Sequence, residues 1–337
     1  MIKIGIVGAS GYTARELVLI LQRHPNIELL RATSRQSDGV TLGQSHPSIG
    51  KFRDLPFTAF DVDDFVSAGI ECAFTCLPHG ASAAAVAQLM QHGIKVVDFS
   101  ADYRLNDVAS FEAHYQIEHP DPQRVGQTAY GLPEIFRERI IGQDLIANPG
   151  CFPTSAILPL TPLVADGLVE PGSIIIDSKS GVSGAGRNPK PHLHFPEANE
   201  SVMAYGIGTH RHGPEIEQIL QRATSASLEV VFQPHLMPMD RGILSTIYFR
   251  PTENIGIENV KRSLQSKFAD EPFIRLRDSA PTTKDVSSTN FCDIYVGSNR
   301  EQIIIVSAID NLIKGASGAA VQNFNLLFGF PETTALL

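Results

Sequence analysis

Two short segments carry side chains able to do covalent chemistry. In residues 148–154, NPGCFPT, a Pro-Gly turn leads straight into the apolar run SAILPLTPLVADG. Pro153 suits the first turn of a helix, where a missing N–H costs nothing. Cys151 is therefore predicted at a helix N-terminus, where the helix dipole favours a thiolate. That setting marks it as a nucleophile, against the ordinary alternative of a buried structural cysteine. Pro159 and Pro162 predict that this helix is short or kinked.

A thiolate attacking a carbonyl needs a base and later an acid close by. Residues 208–215, GTHRHGPE, offer His210, Arg211 and His212 ahead of a helical pattern. His212 is the choice, with Glu215 three residues on to orient its ring. His192/His194 and His210/His212 are both H-x-H pairs. No cysteine or carboxylate cluster joins them, so no metal is expected, and His192 and His194 read as a solvated Pro-rich loop.

A third segment suits a dinucleotide. Gly8, Ala9, Ser10, Gly11, Tyr12, Thr13 and Ala14 follow a short apolar run and open a helix. Glycines there allow a tight turn and let backbone N–H groups approach a pyrophosphate at the positive helix end. An ordinary strand-to-helix turn would look similar. The second strand ends in Thr33, Ser34 and Arg35, where an NAD site usually has a carboxylate for the ribose 2′-OH. A hydroxyl and a guanidinium predict NADP(H), unless Arg35 is a solvated loop charge. Arg104, after the strand end DFSADY, can bond an anion bidentately or pair with Asp102 or Asp107. Residues 178–187, SKSGVSGAGR, form a Gly/Ser loop that could wrap a head group around Ser180, or act as a plain connection.

These groups need elements to hold them. Strand patterns at 3–7, 27–33, 71–77 and 95–99 alternate with helix patterns at 14–23, after Asp61, and at 82–92. Repeated β-α-β with apolar strands predicts a parallel sheet covered on both faces. Beyond residue 150, strand-like runs at 173–177, 229–234, 243–250, 273–276 and 302–309 predict a mixed or antiparallel sheet with helices on one side. The helical tail 316–327 can return to the first domain. The expected division is 1–147 with 312–337 against 148–311.

The 337 residues suffice for about two domains. With 43% hydrophobic residues and 19% charged ones, both can have packed cores. The 27 Lys and Arg against 36 Asp and Glu give a net charge of −9, which argues against nucleic acid or an anionic membrane as partner. Four cysteines are too few for a disulfide scaffold. No apolar run reaches the ~18 residues of a membrane span, and the N-terminus lacks a signal-peptide layout, so a cytoplasmic protein is expected.

Taken with CLPHG (76–80), DFSADYRL (98–105), YGLPE (130–134) and NLIKGASGAAVQNFN (311–325), these segments resemble the N-acetyl-gamma-glutamyl-phosphate reductases of arginine biosynthesis across nearly the whole chain. Ala14 and Phe152 depart from the family's usual Gly and Tyr. The resemblance implies an α/β protein, a Rossmann dinucleotide-binding domain plus a glyceraldehyde-3-phosphate-dehydrogenase-like α+β catalytic domain. It implies NADPH-dependent reduction of a small acyl phosphate through a cysteine thioester, in a dimer or tetramer. Cys151 becomes the nucleophile and His212 the acid/base, with His210 nearby and Arg104 on the acyl phosphate. Ser183, Gly184 and Asn311 are implied near the nicotinamide, and Glu197 and Asn199 are expected near the amide of the substrate. Aspartate-semialdehyde dehydrogenase and a lysine-branch reductase are the sibling readings. From the residues alone, a cysteine hydrolase or a nucleotide-sensing regulator also remains open.

Overall fold

In the computed structural model, which describes residues 1–35 and 39–337, strand β1 (Ile2–Val7) runs through a glycine turn into the helix Tyr12–Leu21. Leu17, Val18, Ile20 and Leu21 are buried along that helix, the apolar stripe that 3.6-residue spacing produces. Strands β2 (Ile27–Thr33), β3 (Phe57–Thr58), β4 (Cys72–Thr75), β5 (Lys95–Asp98), β6 (Ala129–Tyr130) and β7 (Leu145–Ala147) join β1 in one sheet of order β3-β2-β1-β4-β5-β7-β6. Every pairing in it is parallel. Strand β4 is buried at all its positions, as a sheet covered on both faces requires. Asp61 caps the helix Val62–Ser67, its carboxylate accepting from the Asp63 N–H at 3.0 Å.

The chain divides into two compact units, Met1–Pro149 with Ala316–Leu337, and Gly150–Gly315. In the first, the helix Gly318–Leu327 packs against Tyr12–Leu21 and Pro133–Ile140. Its Asn323 amide donates to the Gly131 carbonyl at 2.8 Å and to Asn148 Oδ1 at 3.1 Å.

The second unit holds β8 (Ile174–Gly181), β9 (Met203–Ala204), β10 (Val230–Met237), β11 (Ile243–Phe249), β12 (Ile274–Leu276), β13 (Cys292–Asn299) and β14 (Gln302–Ile309), in the order β12-β13-β14-β11-β8-β10-β9. Pairs β8/β10 and β12/β13 are parallel and the others antiparallel. Period-2 alternation is clean in β11, where Ile243, Ser245, Ile247 and Phe249 face the core. The helix Cys151–Ala165 lies on that inner side. The Ser245 hydroxyl bridges Ser178 and Ser155 at 2.7 Å each, tying sheet to helix.

Three features differ from the sequence expectation. The helix Cys151–Ala165 runs 15 residues through both Pro159 and Pro162. An interior proline costs about 3 kcal/mol in an isolated helix. Here residues 152–164 are all buried, and the Thr161 hydroxyl takes up the Ile157 carbonyl at 2.8 Å, so tertiary burial outweighs the local penalty. Strand β8 continues past Asp177 to Gly181, which puts Ser180 in a strand rather than a loop. The register with β10 and β11 extends that far and holds it. The helices Val108–Tyr115, Pro133–Ile140 and Ile257–Phe268 and the strands β3, β6, β7, β9 and β13 are additions to the expected elements.

Gly8 has φ +89°, and a Cβ on it would stand 2.7 Å from the Cys76 carbonyl oxygen. Gly8→Ala is expected to destabilise the first unit by about 1–3 kcal/mol through backbone strain and collision. A urea midpoint equal to that of the parent would show that the turn relaxes instead.

Candidate active site

Cys151 is the first residue of its helix, after the N-cap Gly150. The Thr154 N–H and hydroxyl both donate to the Gly150 carbonyl at 2.9 Å, closing the first turn. Pro153, which has no N–H to satisfy, fills the turn between them. Cys151 is partly open to solvent, whereas Cys72 and Cys292 are buried. Burial pushes the thiols of Cys72 and Cys76 far up, which keeps them protonated and inert.

His212 likewise starts its helix, His212–Gln221. Glu215 in the first turn is buried, and its Oε1 accepts from the Gly150 N–H at 3.0 Å. The carboxylate expected to orient the His212 ring thus joins the two helix starts. Around them lies an aromatic cluster. Phe152 meets His210 at 5.7 Å and His212 at 5.8 Å between ring centroids, and the two imidazoles are 5.0 Å apart. Tyr205 and Phe232 each lie 5.4 Å from His210.

The charge state and tautomer of His210 follow from its surroundings. His210 Nδ1 accepts from the His212 backbone N–H at 3.2 Å, which leaves its proton on Nε2. Burial, with the charge of Arg211 adding to it, lowers His210 to about 4. At neutral pH it is a neutral Nε2–H donor. Burial and the neighbouring Cys151 push the Tyr205 phenol up, so it too remains a donor. Sequence reasoning missed Tyr205 and Phe232. Tyr205 had a faint signal in its place just ahead of GTHRH; Phe232 had none, being one apolar residue of an apolar strand.

A second group in this unit brings together four expected residues. Asn311 Nδ2 donates to the Ser183 hydroxyl at 3.0 Å, and Asn311 Oδ1 accepts from the Gly242 N–H at 2.6 Å. Gly184 backs onto the same group, since a Cβ on it would lie 3.1 Å from Ser180 Oγ and 3.6 Å from Asn311 Nδ2. Glu197 stands apart in character, exposed on the four-residue helix Phe195–Ala198, with Asn199 exposed just after it. His192 and His194 are exposed as expected of a solvated loop.

In the first unit, the Gly8 N–H donates to Thr33 Oγ1 and the Ala9 N–H to the Thr33 carbonyl, which fixes the glycine turn to the end of β2. The helix that follows has no side-chain cap and no acidic residue in its first turn. A Cβ on Gly11 would meet nothing within 4 Å. An uncapped positive helix end beside open space fits an anionic pyrophosphate. Ser10, Tyr12 and Thr13 line that turn, each partly exposed. Ser34 is buried with its N–H on the Thr58 carbonyl, and Arg35 is exposed. Arg104 is buried, donating from Nε to the Asn148 carbonyl at 2.8 Å and from Nη2 to the Phe99 carbonyl at 2.7 Å. Of its two envisaged ion-pair partners, Asp102 accepts from the N–H groups of Gly80 and Ala83, and Asp107 caps Ser110.

An all-parallel dinucleotide-type unit joined to a mixed-sheet unit with Cys and His at two helix starts defines the semialdehyde dehydrogenase class. A family model described as "Semialdehyde dehydrogenase, NAD binding domain" matches residues 3–143, and "Semialdehyde dehydrogenase, dimerisation domain" matches residues 151–311. Among solved structures, aspartate semialdehyde dehydrogenase II from Vibrio cholerae superposes with a TM-score of 0.73 at 17% identity, covering 98% of each chain. Aspartate semialdehyde dehydrogenase with NADP from Candida albicans gives 0.72 at 16% identity, covering 97% of this chain and 98% of that one. The chain is 48% identical to an N-acetyl-gamma-glutamyl-phosphate reductase from Rhodopirellula baltica and 46% identical to one from Desulforudis audaxviator, each over all of this chain and 98% of the relative. It belongs to the N-acetyl-gamma-glutamyl-phosphate reductase family. Among the described residues, no helix is long and apolar enough to cross a membrane.

Because His210 binds a proton less readily when folded, its ordinary value of 6.5 against about 4 sets a pH window. Between those values the unfolded chain holds more protons, so stability falls as pH drops through the window and is unaffected above it. His210→Gln is expected to flatten the fall in urea midpoint between pH 7 and pH 4.5. Parallel curves for the two proteins would contradict a neutral, buried His210.

Proposed function

We propose that the protein reduces N-acetyl-gamma-glutamyl phosphate to N-acetylglutamate 5-semialdehyde and phosphate, through a thioester on Cys151, with NADPH as reductant. The observation that carries this reading is the pairing of Cys151 and His212 at two helix starts joined by the Gly150–Glu215 hydrogen bond. Membership of the reductase family supports the substrate.

The dinucleotide is held at Gly8, Ser10, Gly11, Tyr12 and Thr13, with Ser34 and Arg35 toward the ribose phosphate and Ser183, Gly184 and Asn311 toward the nicotinamide. When bound, the reduced dinucleotide supplies hydride to a carbonyl carbon. The chain's own residues do the rest. The Cys151 thiolate, favoured by its helix dipole, attacks the γ-acyl carbon, and phosphate departs to leave a thioester. Arg104 offsets charge on the acyl phosphate, held at its strand end by the Asn148 and Phe99 carbonyls. The neutral His210 donates from Nε2 to substrate oxygen, and Ser180 and Glu197 are assigned to the remaining polar groups of the substrate. Backbone N–H groups at the start of the Cys151 helix stabilise the oxyanion that forms on attack and again on reduction. His212 as imidazolium protonates the reduced thioester oxygen. It then takes that proton back as the C–S bond breaks, releasing the aldehyde and restoring the thiolate. The thioester matters because it accepts hydride far more readily than a carboxylate does.

The enzyme is assigned as a homo-oligomer formed through the outer face of the second sheet. There Ile175 and Val231, register partners on β8 and β10, are 46% and 61% exposed. Four free cysteines suit the reducing conditions of cytoplasm.

In the reverse assay, with N-acetylglutamate 5-semialdehyde, phosphate and NADP⁺, NADPH absorbance is expected to rise with the parent enzyme. Cys151→Ser is expected to lose that rise and keep cofactor binding by fluorescence. Turnover retained in the serine variant refutes the nucleophile, and activity with aspartate semialdehyde alone points to the sibling enzyme.

Arg35→Ala is expected to raise KM for NADPH about tenfold, as loss of one charge-assisted contact would, with KM for NADH unchanged. Equal effects on both cofactors would remove Arg35 from the 2′-phosphate.

A further inference from the structure

We infer that Gly315 is the positioning residue for the Cys151 sulfur. The backbone at Gly315, in the turn Ile313–Ser317, backs the nucleophile's Cβ, and only a residue without a side chain leaves that space open. The inference rests on Cys151 being the nucleophile and adds a residue that acts through it.

No room for a side chain is left at Gly315. A Cβ built on Gly315 would stand 2.8 Å from Cys151 Cβ and 3.2 Å from its Cα. Carbon atoms pack at about 3.5–4.0 Å, so one side would have to move. The turn is a π-helical one, a rare form that recurs at functional sites.

Both sides of the contact are anchored within the second unit. On the turn side, the Gly315 N–H donates to the Asp310 carbonyl at 2.9 Å. The fully buried Asp310 carboxylate accepts from the N–H groups of Ser288 at 2.6 Å, Leu312 at 2.9 Å and Ile313 at 3.1 Å, and pairs with Arg241 at 3.0 Å. Next to it, Asn311 is held by Gly242, and the buried Lys314 ammonium lies 5.5 Å from the centre of the Phe273 ring. Retreat of the turn would break several buried bonds at once. On the cysteine side, the Gly150 N–H is tied to Glu215 and the helix behind is buried. Cys151 is partly open to solvent, in contrast to the buried residues that follow it. The atoms met are Cys151 Cβ and Cα, which move only with the first residue of the helix and carry the sulfur with them. An added methyl therefore shifts that residue and displaces the sulfur.

The test uses the full-length protein with Gly315→Ala. A displaced nucleophile predicts kcat about a hundredfold lower, the scale expected for a misplacement near 1 Å. It also predicts a changed rate of Cys151 alkylation by iodoacetamide, with KM for NADPH unchanged. A merely structural role would lower the melting midpoint and leave the alkylation rate of the folded enzyme as it was. A melting cycle probes the contact without turnover. Cys151→Gly removes the opposing Cβ, the shortest approach, so combining it with Gly315→Ala is expected to recover part of the midpoint lost in Gly315→Ala alone. If Gly315→Ala does not fold, the double variant decides: recovery of folding supports the contact and persistent unfolding overturns it. Unchanged kcat and alkylation, or additive melting shifts, also overturn it. Activity surviving in Cys151→Ser would instead remove the nucleophile and leave the melting cycle to judge the contact on its own.

Discussion

A single hydrogen bond, from the Gly150 N–H to the Glu215 carboxylate, is the constraint around which the chemistry is arranged. A buried carboxylate is costly unless its charge is answered. Here it sits in the first turn of one helix and accepts from the N-cap of another, so two positive helix ends answer it. The bond therefore fixes the start of the cysteine helix against the start of the histidine helix. Were Glu215 absent, the Gly150 N–H would lose this acceptor, and the two helix starts would lose their common reference.

The same corner separates two imidazoles that are only two residues apart in the chain. His210 spends Nδ1 on the His212 backbone and is buried deeply enough to stay neutral. A neutral donor polarises an oxygen without giving up its proton, whereas an acid/base must exchange one. Phe152, Tyr205 and Phe232 give His210 its low-dielectric surroundings. The aromatic cluster thus sets the protonation of His210 through desolvation. The cysteine thiols also differ in solvation, with Cys72 buried and held protonated and Cys151 partly open.

Behind the site, polar groups hold parts that apolar packing alone would leave loose. The Ser155, Ser245 and Ser178 hydroxyls connect the cysteine helix to the sheet beneath it. Asp310 gathers three backbone N–H groups and a guanidinium. In the first unit, Arg104 and Asn323 hold the Asn148 segment that leads to the nucleophile. Buried polar networks of this kind specify one arrangement where hydrophobic contact would tolerate several.

Much of this was legible in the order of residues, because the relevant physics is local. Period-2 and period-3.6 patterns mark the parallel sheet and its helices, and Asp61 announces the helix it caps. A Pro-Gly turn before Cys151 marks a helix start, and Ser34-Arg35 marks a strand end lacking a carboxylate. What depends on distant partners was not legible. Pro159 and Pro162 argue against a long helix until burial on all sides is counted. Ser180 reads as loop until β10 and β11 extend its strand. The lowered proton affinity of His210, the placement of Tyr205 and the seat of Cys151 on Gly315 come from residues far apart in the chain. Sequence order alone determined which groups could react and where helices would begin. Only the tertiary structure decided which of those groups are desolvated, which are neutral and which touch, since solvation and contact are properties of neighbours in space.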